Sequence, residues 1–450
     1  MRHSILSIVC LLGFISCDNF LNEFAEEGSE ETVEGTLESN NQFKAFSELI
    51  ASSYAHSPDG TWWGYNMKKI VRYKDRVFSY YIDNKSPDVN GSRFSLISKL
   101  GDAEWQNGAK LPTSRPGNLL MDSQGVLHAF VYEAHDYANN DSVGDLIHYW
   151  FPKAADGNIN DFLSEILVDY DGSHGEQVNI RVGAAISDAD EIVIAYGMTK
   201  NITTPLSSLD DGHTMHVLRK SVDGDWQQEL AGKNLGHDFY YPFVAVSSGK
   251  VALLPVQDDF IPDSSASYPN EYQMVPYFSD KGGVWQHEIL EDRRNHPYAQ
   301  ERLQIIEQSE LFIDSEGKSH LIYKERLGEL SSVFSQIVYL EGGLGDWSRV
   351  ELANEERNLN WVRIFEMGGK LRFVGFTYDQ LMIANDINGP WQGITLEHSI
   401  PGAYLYIANQ TSGPSSEEYL DILLVSGSSN SYPNGPAAYV RLPKELFLKL

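Results

Sequence analysis

The chain is poor in cysteine and in basic charge: of 450 residues two are cysteines, Cys10 and Cys17, and 34 are Lys or Arg against 63 Asp or Glu. Two thiols cannot build a disulfide framework, and with no CxxC anywhere a cysteine-based zinc site has no ligands. A formal net charge of -29 argues against nucleic acid as a partner, because phosphate binding needs a basic footprint. Missing too are an HExxH pair and a GxSxG elbow, so neither a zinc protease nor a serine hydrolase has its motif. No metal or cofactor is implied by any of these patterns. No apolar run is long enough to span a bilayer as a helix. Helical periodicity is absent except for one short candidate at residues 42–52. What the chain does have is 42% hydrophobic and 12% aromatic residues, a globular composition with material for a large core.

The N-terminus carries an address. "MRHSILSIVCLLGFISC" has a cation at Arg2, an apolar stretch of export-signal length and a small residue before Cys17. It resembles a bacterial lipoprotein signal, which implies a lipid on Cys17, anchoring to the cell envelope at the outer membrane, and contact with the membrane through that lipid alone. After it comes "DNFLNEFAEEGSEETVEGTLE", eight carboxylates with no Lys or Arg, the composition of a solvated tether. The sequence thus divides into a signal at 1–17, an acidic tether at 18–39 and one folded domain at 40–450.

Within that domain, apolar runs of strand length alternate with Gly, Asp, Asn and Ser turns, which predicts an all-β fold. Two kinds of turn recur. "DSQGVLHAF" at Asp122 and "DSEGKSHLIY" at Asp314 are hairpin turns, echoed more loosely at four other places. A Gly/Asp turn closed by tryptophan occurs at Trp105, Trp226, Trp285, Trp347 and Trp391, with Phe162 filling the wide gap between the first two. Hairpin and aromatic turns alternate, so each unit holds about four strands. Units of this kind are blades of a β-propeller, and counting the C-terminal segment as a final blade predicts seven. The tryptophans are expected at equivalent positions and largely buried. The tryptophan turns resemble the Asp-box, or BNR, repeat of sialidase-like propellers.

In a propeller the innermost strand of each blade starts, and the second strand ends, on one face around the axis. Strand starts place Asn66 and Lys68, Arg115 and Asn118, Asn179 and Arg181, Tyr240 and Tyr241, then Asn360 and Arg363 there, with Tyr404 or Tyr406 last. Second-strand ends add Asp83, His135, Tyr196, Asp258 and Asp259, Lys324 and Arg326, and Tyr378 with Asp379. Four blades offer a cation in an acidic chain, which suggests an anionic ligand. His128 differs: it sits mid-strand, and its counterpart His320 occupies the same offset in another unit, so both read as packing residues of the repeat.

The set His, Tyr and Arg suits β-elimination of an acidic sugar: Arg neutralises the uronate carboxylate, a His or Tyr takes the C5 proton, and a Tyr protonates the departing oxygen. The segment "RPGNLLMDSQGVLHAFVYEAHDY" is similar to the second blade of BNR-repeat polysaccharide lyases such as the ulvan lyases, although Arg115 stands where that family has a His. "YYP" at 240–242 resembles a later blade start of the same family. The resemblance implies catalytic roles for His135 and Tyr241; the placement of strand starts adds Arg181 as the catalytic cation and Arg115, Asn118, Asn179, Tyr240 and Arg363 as substrate-binding residues, with an acidic polysaccharide or oligosaccharide as partner. Two other classes stay open on sequence: a hydrolase pairing Asp258 or Asp259 with Asp83 or Asp379, and a propeller that binds glycans without cleaving them.

Overall fold

The structure is a computed structural model; it describes residues 43–51, 64–83, 93–113, 115–136, 140–169, 176–178, 182–200, 214–222, 224–234, 239–247, 249–257, 273–280, 283–292, 308–327, 334–353, 359–426 and 436–450. The signal, Cys17 and the tether lie outside these residues. No helix among them is long and apolar enough to cross a membrane.

Almost every described element is a strand, and the strands form meanders in which each pairs antiparallel with the next. The first sheet runs from its inner strand Ile70–Tyr73 to its outer strand Gln106–Leu111; the second runs from Asn118–Met121 to Leu163–Val168. In the third, the inner position is split between Glu176–Val178 and Gly183–Ile186, which both pair with Ile192–Lys200, and the outer strand is Gln227–Asn234. The fourth and fifth begin at Phe239–Ser247 and Glu310–Ile313 and end at Trp285–His287 and Asp346–Ala353.

The final eight strands are joined in one sheet that divides into two sets of four. Asn360–Glu366 to Gln392–Leu396 is one antiparallel meander, and Tyr404–Ile407, Tyr419–Val425 and Ala437–Pro443 are three strands of another. The fourth strand of that last set comes from the far end of the chain: Phe43–Ala51 pairs antiparallel with Ala437–Pro443 and touches Gln392–Leu396 by a short parallel register. The segment predicted as a helix at 42–52 is therefore a strand. In "FKAFSELIA" Ala45 and Ser47 are buried and Phe46 between them is exposed, the period-2 alternation of a strand with one face on the core; it breaks at Leu49, which is exposed where the register with Ala437–Pro443 shifts.

Inner strands pack side by side in sequence order, and the last, Tyr404–Ile407, returns against the first, Ile70–Tyr73. The result is a closed ring of blade-like sheets, a β-propeller. Most of its hydrophobic core lies between neighbouring sheets. Phe78, Phe94 and Leu96 meet Leu119, Leu127 and Ala129, for example, and Ala185 and Val193 meet Val244 and Leu253.

The hairpin turns form as predicted. Asp122 Oδ1 accepts the N–H groups of Gln124 and Val126, and Asp314 Oδ1 those of Glu316 and Lys318, while Gly125 and Gly317 take the positive φ that the turn requires. The serine of each turn reaches the next sheet: Ser123 bonds Asp190 and Ser315 bonds Glu366, each through backbone N–H and hydroxyl. The aromatic turns also repeat. Trp105, Trp226, Trp285, Trp347 and Trp391 stand at or beside the start of the outer strand of their sheets. They are half-buried rather than largely buried, because one face of an outer-strand residue looks to solvent. Three of them reach a glutamate on or next to the outer strand of the preceding sheet, Trp226 to Glu165, Trp347 to Glu288 and Trp105 to Glu48. Glu48 belongs to Phe43–Ala51, so the same bond fastens the borrowed strand to the first sheet.

Candidate functional site

Starts of the inner strands converge on the axis, and the local chemistry shows why they sit so close. Lys68 N–H donates to Asn118 Oδ1 at 3.0 Å, Asn118 Nδ2 donates to the Val182 carbonyl at 2.8 Å, and a Cβ on Gly183 would lie 1.8 Å from the Pro242 carbonyl oxygen. The Asn118 amide thus ties the second sheet to the first and third, and the third approaches the fourth too closely for a side chain at Gly183. Asn118 is fully buried and both ends of its amide are engaged in these ties. Gly117 is equally constrained. A Cβ there would meet the Phe130 carbonyl at 2.5 Å, and the Tyr80 hydroxyl bonds both its N–H and its C=O.

The turn at 64–67 enters the axis from the first sheet. Gly64 has φ +76°, Met67 N–H closes onto its carbonyl, and Asn66 Nδ2 reaches across to the Pro242 carbonyl at 2.8 Å. This places the Tyr65 ring among those of Trp361 and Tyr404, stacked at 5.5 and 5.6 Å, with Tyr241 edge-on at 5.1 Å. Trp361 has φ +53° and lies at a register shift between Asn360 and Arg363. A positive φ at a bulky residue is strained backbone. Polar side chains from the fifth sheet and its approach hold it: Gln308 Oε1 accepts the Trp361 N–H, and both Gln308 Nε2 and Lys324 Nζ donate to Asn360 Oδ1. The bulge turns the indole toward the axis.

Beneath these rings is a polar cavity lined by Asn66, Lys68, Glu310, Arg363 and Asn409, among others. Arg363 is buried, donates to the Leu405 and Ser309 carbonyls, and stands 3.2 Å from Glu310. Burial lowers the pKa of the Lys68 ammonium, with Glu310 opposing and Arg363 adding to the shift. Lys69 is pushed well down by burial and by Arg363, its ammonium 3.9 Å from the centre of the Tyr406 ring. The far end of the axis is closed by the short 3-10 turn Gln410–Ser412, which packs against the inner strands of the second, third and fourth sheets.

The residues expected from sequence fall in several places. Arg363 lines the axial cavity. Arg115 is buried at the start of the second sheet, and Tyr241 is fully buried under Tyr65. Tyr378 and Asp379 are exposed after the second strand of the sixth sheet. His135 and Tyr240 lie in strands, but their side chains are outside the described residues, as are Asn179, Arg181, Asp258 and Asp259 altogether; the side chain of Asp83 is outside them too. Sequence reasoning missed Tyr65, Trp361 and Glu310. For two of them a signal exists: in "WWGYNMKK" and "NLNWVRIF" an aromatic residue stands just before a predicted axial cation.

His128 and His320 belong to side-chain chains on the hairpin side. His128 Nδ1 meets His148 Nε2 at 2.9 Å, and His148 Nδ1 meets Glu165, which also accepts from Trp226. Correspondingly His320 joins Asp314 and Tyr339, whose hydroxyl donates to Glu341. Burial first, and His128 second, push His148 down to about 3.

No family model matches the sequence, and no curated protein matches it. Solved structures do. An ulvan lyase, described as a new family of polysaccharide lyase PL25, is 11% identical and aligns over 89% of this chain and 95% of its own with a TM-score of 0.51. The Penicillium chrysogenum alpha-L-arabinanase complexed with arabinobiose is 11% identical over 90% of this chain and 99% of its own, TM-score 0.47. The Fusarium graminearum alpha-L-arabinofuranosidase Arb93A, complexed with an iminosugar inhibitor, is 9% identical over 91% and 100%, TM-score 0.46. The first of these shares its fold with this chain.

Proposed function

We propose that the protein is a seven-bladed propeller of the sialidase-like, BNR-repeat kind that binds an acidic polysaccharide over the inner-strand starts and cleaves it by β-elimination. One observation carries this reading. In a chain of net charge -29, Lys68 and Arg363 line the axial cavity beside the ring cluster of Tyr65, Trp361 and Tyr404, Arg115 is buried at the start of the second sheet, and Glu310 is the only carboxylate among the described residues lining the cavity. Aromatic faces suit sugar rings, and cations held out of water suit a uronate. The ulvan lyase likeness supports the scaffold. The blade count is supported by the closed ring of inner strands.

In the reaction a cation, assigned to Arg181 with Arg115 beside it, neutralises the sugar carboxylate and so acidifies the C5 proton. His135 takes that proton. The C4–O bond breaks as the C4–C5 double bond forms, and Tyr241 protonates the leaving oxygen. Since Tyr241 lies beneath Tyr65, substrate reaches it only when the Tyr65 ring moves aside. The remaining binding contacts are assigned to Asn118, Asn179, Tyr240 and Arg363, of which Asn118 and Arg363 act through the strand starts they hold in place. Export with a lipid on Cys17 anchors the domain to the outer membrane through the acidic tether; Cys17→Ala then releases the protein from the membrane fraction or blocks its processing.

Calorimetric titration tests the choice of substrate. Oligosaccharides containing uronate should bind, with affinity falling as salt rises, while neutral analogues of equal length bind weakly. Equal affinity for neutral and acidic chains would remove the reading.

A further inference from the structure

The axial cavity offers about 20 Å³ of free space, enough for one or two water-sized occupants and too little for a sugar ring. Its walls are unbalanced in charge. Arg363 spends Nε on the Leu405 carbonyl and Nη1 on the Ser309 carbonyl and Glu310, which leaves Nη2 buried with no hydrogen-bond partner among the described residues. Lys68 Nζ is 3.8 Å from Glu310 Oε1, an ion-pair distance but not a hydrogen bond. One carboxylate thus faces two cations, Lys68 and Arg363. All three residues are shielded from solvent: Arg363 and Glu310 are at most 4% exposed, and the Lys68 side chain is 11% exposed. Water can satisfy hydrogen bonds here, but it cannot offset the surplus charge, and uncompensated buried charge is costly.

We propose that this cavity binds one small monovalent anion, a halide or an ion of similar size, held by Arg363 Nη2 and the Lys68 ammonium. Two residues of the lining also carry buried acceptors without hydrogen-bond partners among the described residues, Asn66 Oδ1 and Glu310 Oε1. A single water beside the anion serves both, donating one hydrogen to each. The ion bridges the first sheet, which supplies Lys68, and the sixth, which supplies Arg363. Between them lies the last sheet, whose Tyr406 and Ile407 share the lining. The ion is therefore a pin at the point where the ring closes. The ion site shares Lys68 and Arg363 with the proposed function, but no step of β-elimination passes through the cavity, so loss of a halide effect and loss of lyase activity are separate outcomes.

Thermal unfolding of the whole chain in sodium chloride, sodium bromide and sodium gluconate at equal ionic strength tests it, gluconate being too large to enter. Chloride and bromide should raise Tm saturably, by roughly 3 °C or more at concentrations well above Kd, and Lys68→Met should abolish the difference between salts. Should Lys68→Met fail to fold, wild-type crystals grown in bromide decide: an anomalous peak beside Arg363 Nη2 is expected. Identical Tm in all three salts overturns the proposal. So does a halide effect that Lys68→Met retains, and so does a bromide peak without any Tm effect, which would mark an adventitious ion only.

Discussion

At the residue scale the structure is held by side chains whose alternatives are sterically or electrostatically excluded. Gly117 is one. With the Phe130 carbonyl 2.5 Å from where a Cβ would stand, Gly117→Ala must displace backbone, and a loss of about 1–3 kcal/mol is expected by urea unfolding. His148 is another. Its folded pKa, about 3, lies below the ordinary histidine value, so between those two values the unfolded chain binds the proton that the folded chain refuses. Stability from this group is complete above about pH 6.5 and is lost as pH falls toward 3, with a slope of at most about 1.4 kcal/mol per pH unit. Glu165 acts in the same direction: burial raises its pKa, but the bonds from His148 and Trp226 outweigh that and hold it low. Unfolding measured at pH 7 and pH 5 should show the decline in wild type and a shallower one in His148→Gln. Equal slopes would mean that other groups set the acid response. For the proposed reaction, His135→Ala and Tyr241→Phe should each reduce turnover about 100-fold or more with Tm preserved.

At the element scale the decisive feature is the borrowed strand Phe43–Ala51. Its Glu48 accepts from the Trp105 indole and from Lys99, both at 2.8 Å. Beside it, Arg72 and Asp421 form a bidentate pair at 2.5 and 2.7 Å, with the Tyr439 hydroxyl also donating to Asp421. Removing one partner of a buried pair leaves the other charge stranded, so Asp421→Ala should cost about 3–5 kcal/mol. Glu48→Ala, at a half-buried site, should cost about 1–3 kcal/mol, measured in either case by equilibrium unfolding. The strands and hairpins were legible in the sequence because alternation and the D-S-x-G turn are local signals; the serine's bond to the next sheet, Ser123 to Asp190 and Ser315 to Glu366, was not. The strand at 43–51 was not legible. A short amphipathic run far from its partner can be matched to either period, and only the register with Ala437–Pro443 decides. The spacing aromatic-x-x-Glu in "FLSE", "WQQE" and "WQHE" was readable too. Glu165 and Glu288 use it to accept the next tryptophan.

At the scale of the whole molecule, the site is legible only as a set of strand starts. Sequence places Lys68, Tyr241, Arg363 and Tyr404 near the axis because the blade repeat fixes where each inner strand begins. It does not reveal that Tyr65 fills the axis between them, since that depends on a turn set by Gly64 and on a positive φ at Trp361. Nor does it show that Asn118 is spent on backbone ties, which follow from how closely neighbouring sheets approach. The proposed cleavage of an acidic polysaccharide by elimination leaves a spectroscopic mark. Ultraviolet absorbance tests it most directly, because elimination leaves a double bond conjugated with the carboxylate at each new chain end and hydrolysis leaves none. Incubated with a panel of uronate-containing and neutral polysaccharides, the protein should produce rising absorbance with at least one uronate polymer and with no neutral one. New reducing ends without absorbance, or binding without either, would contradict it.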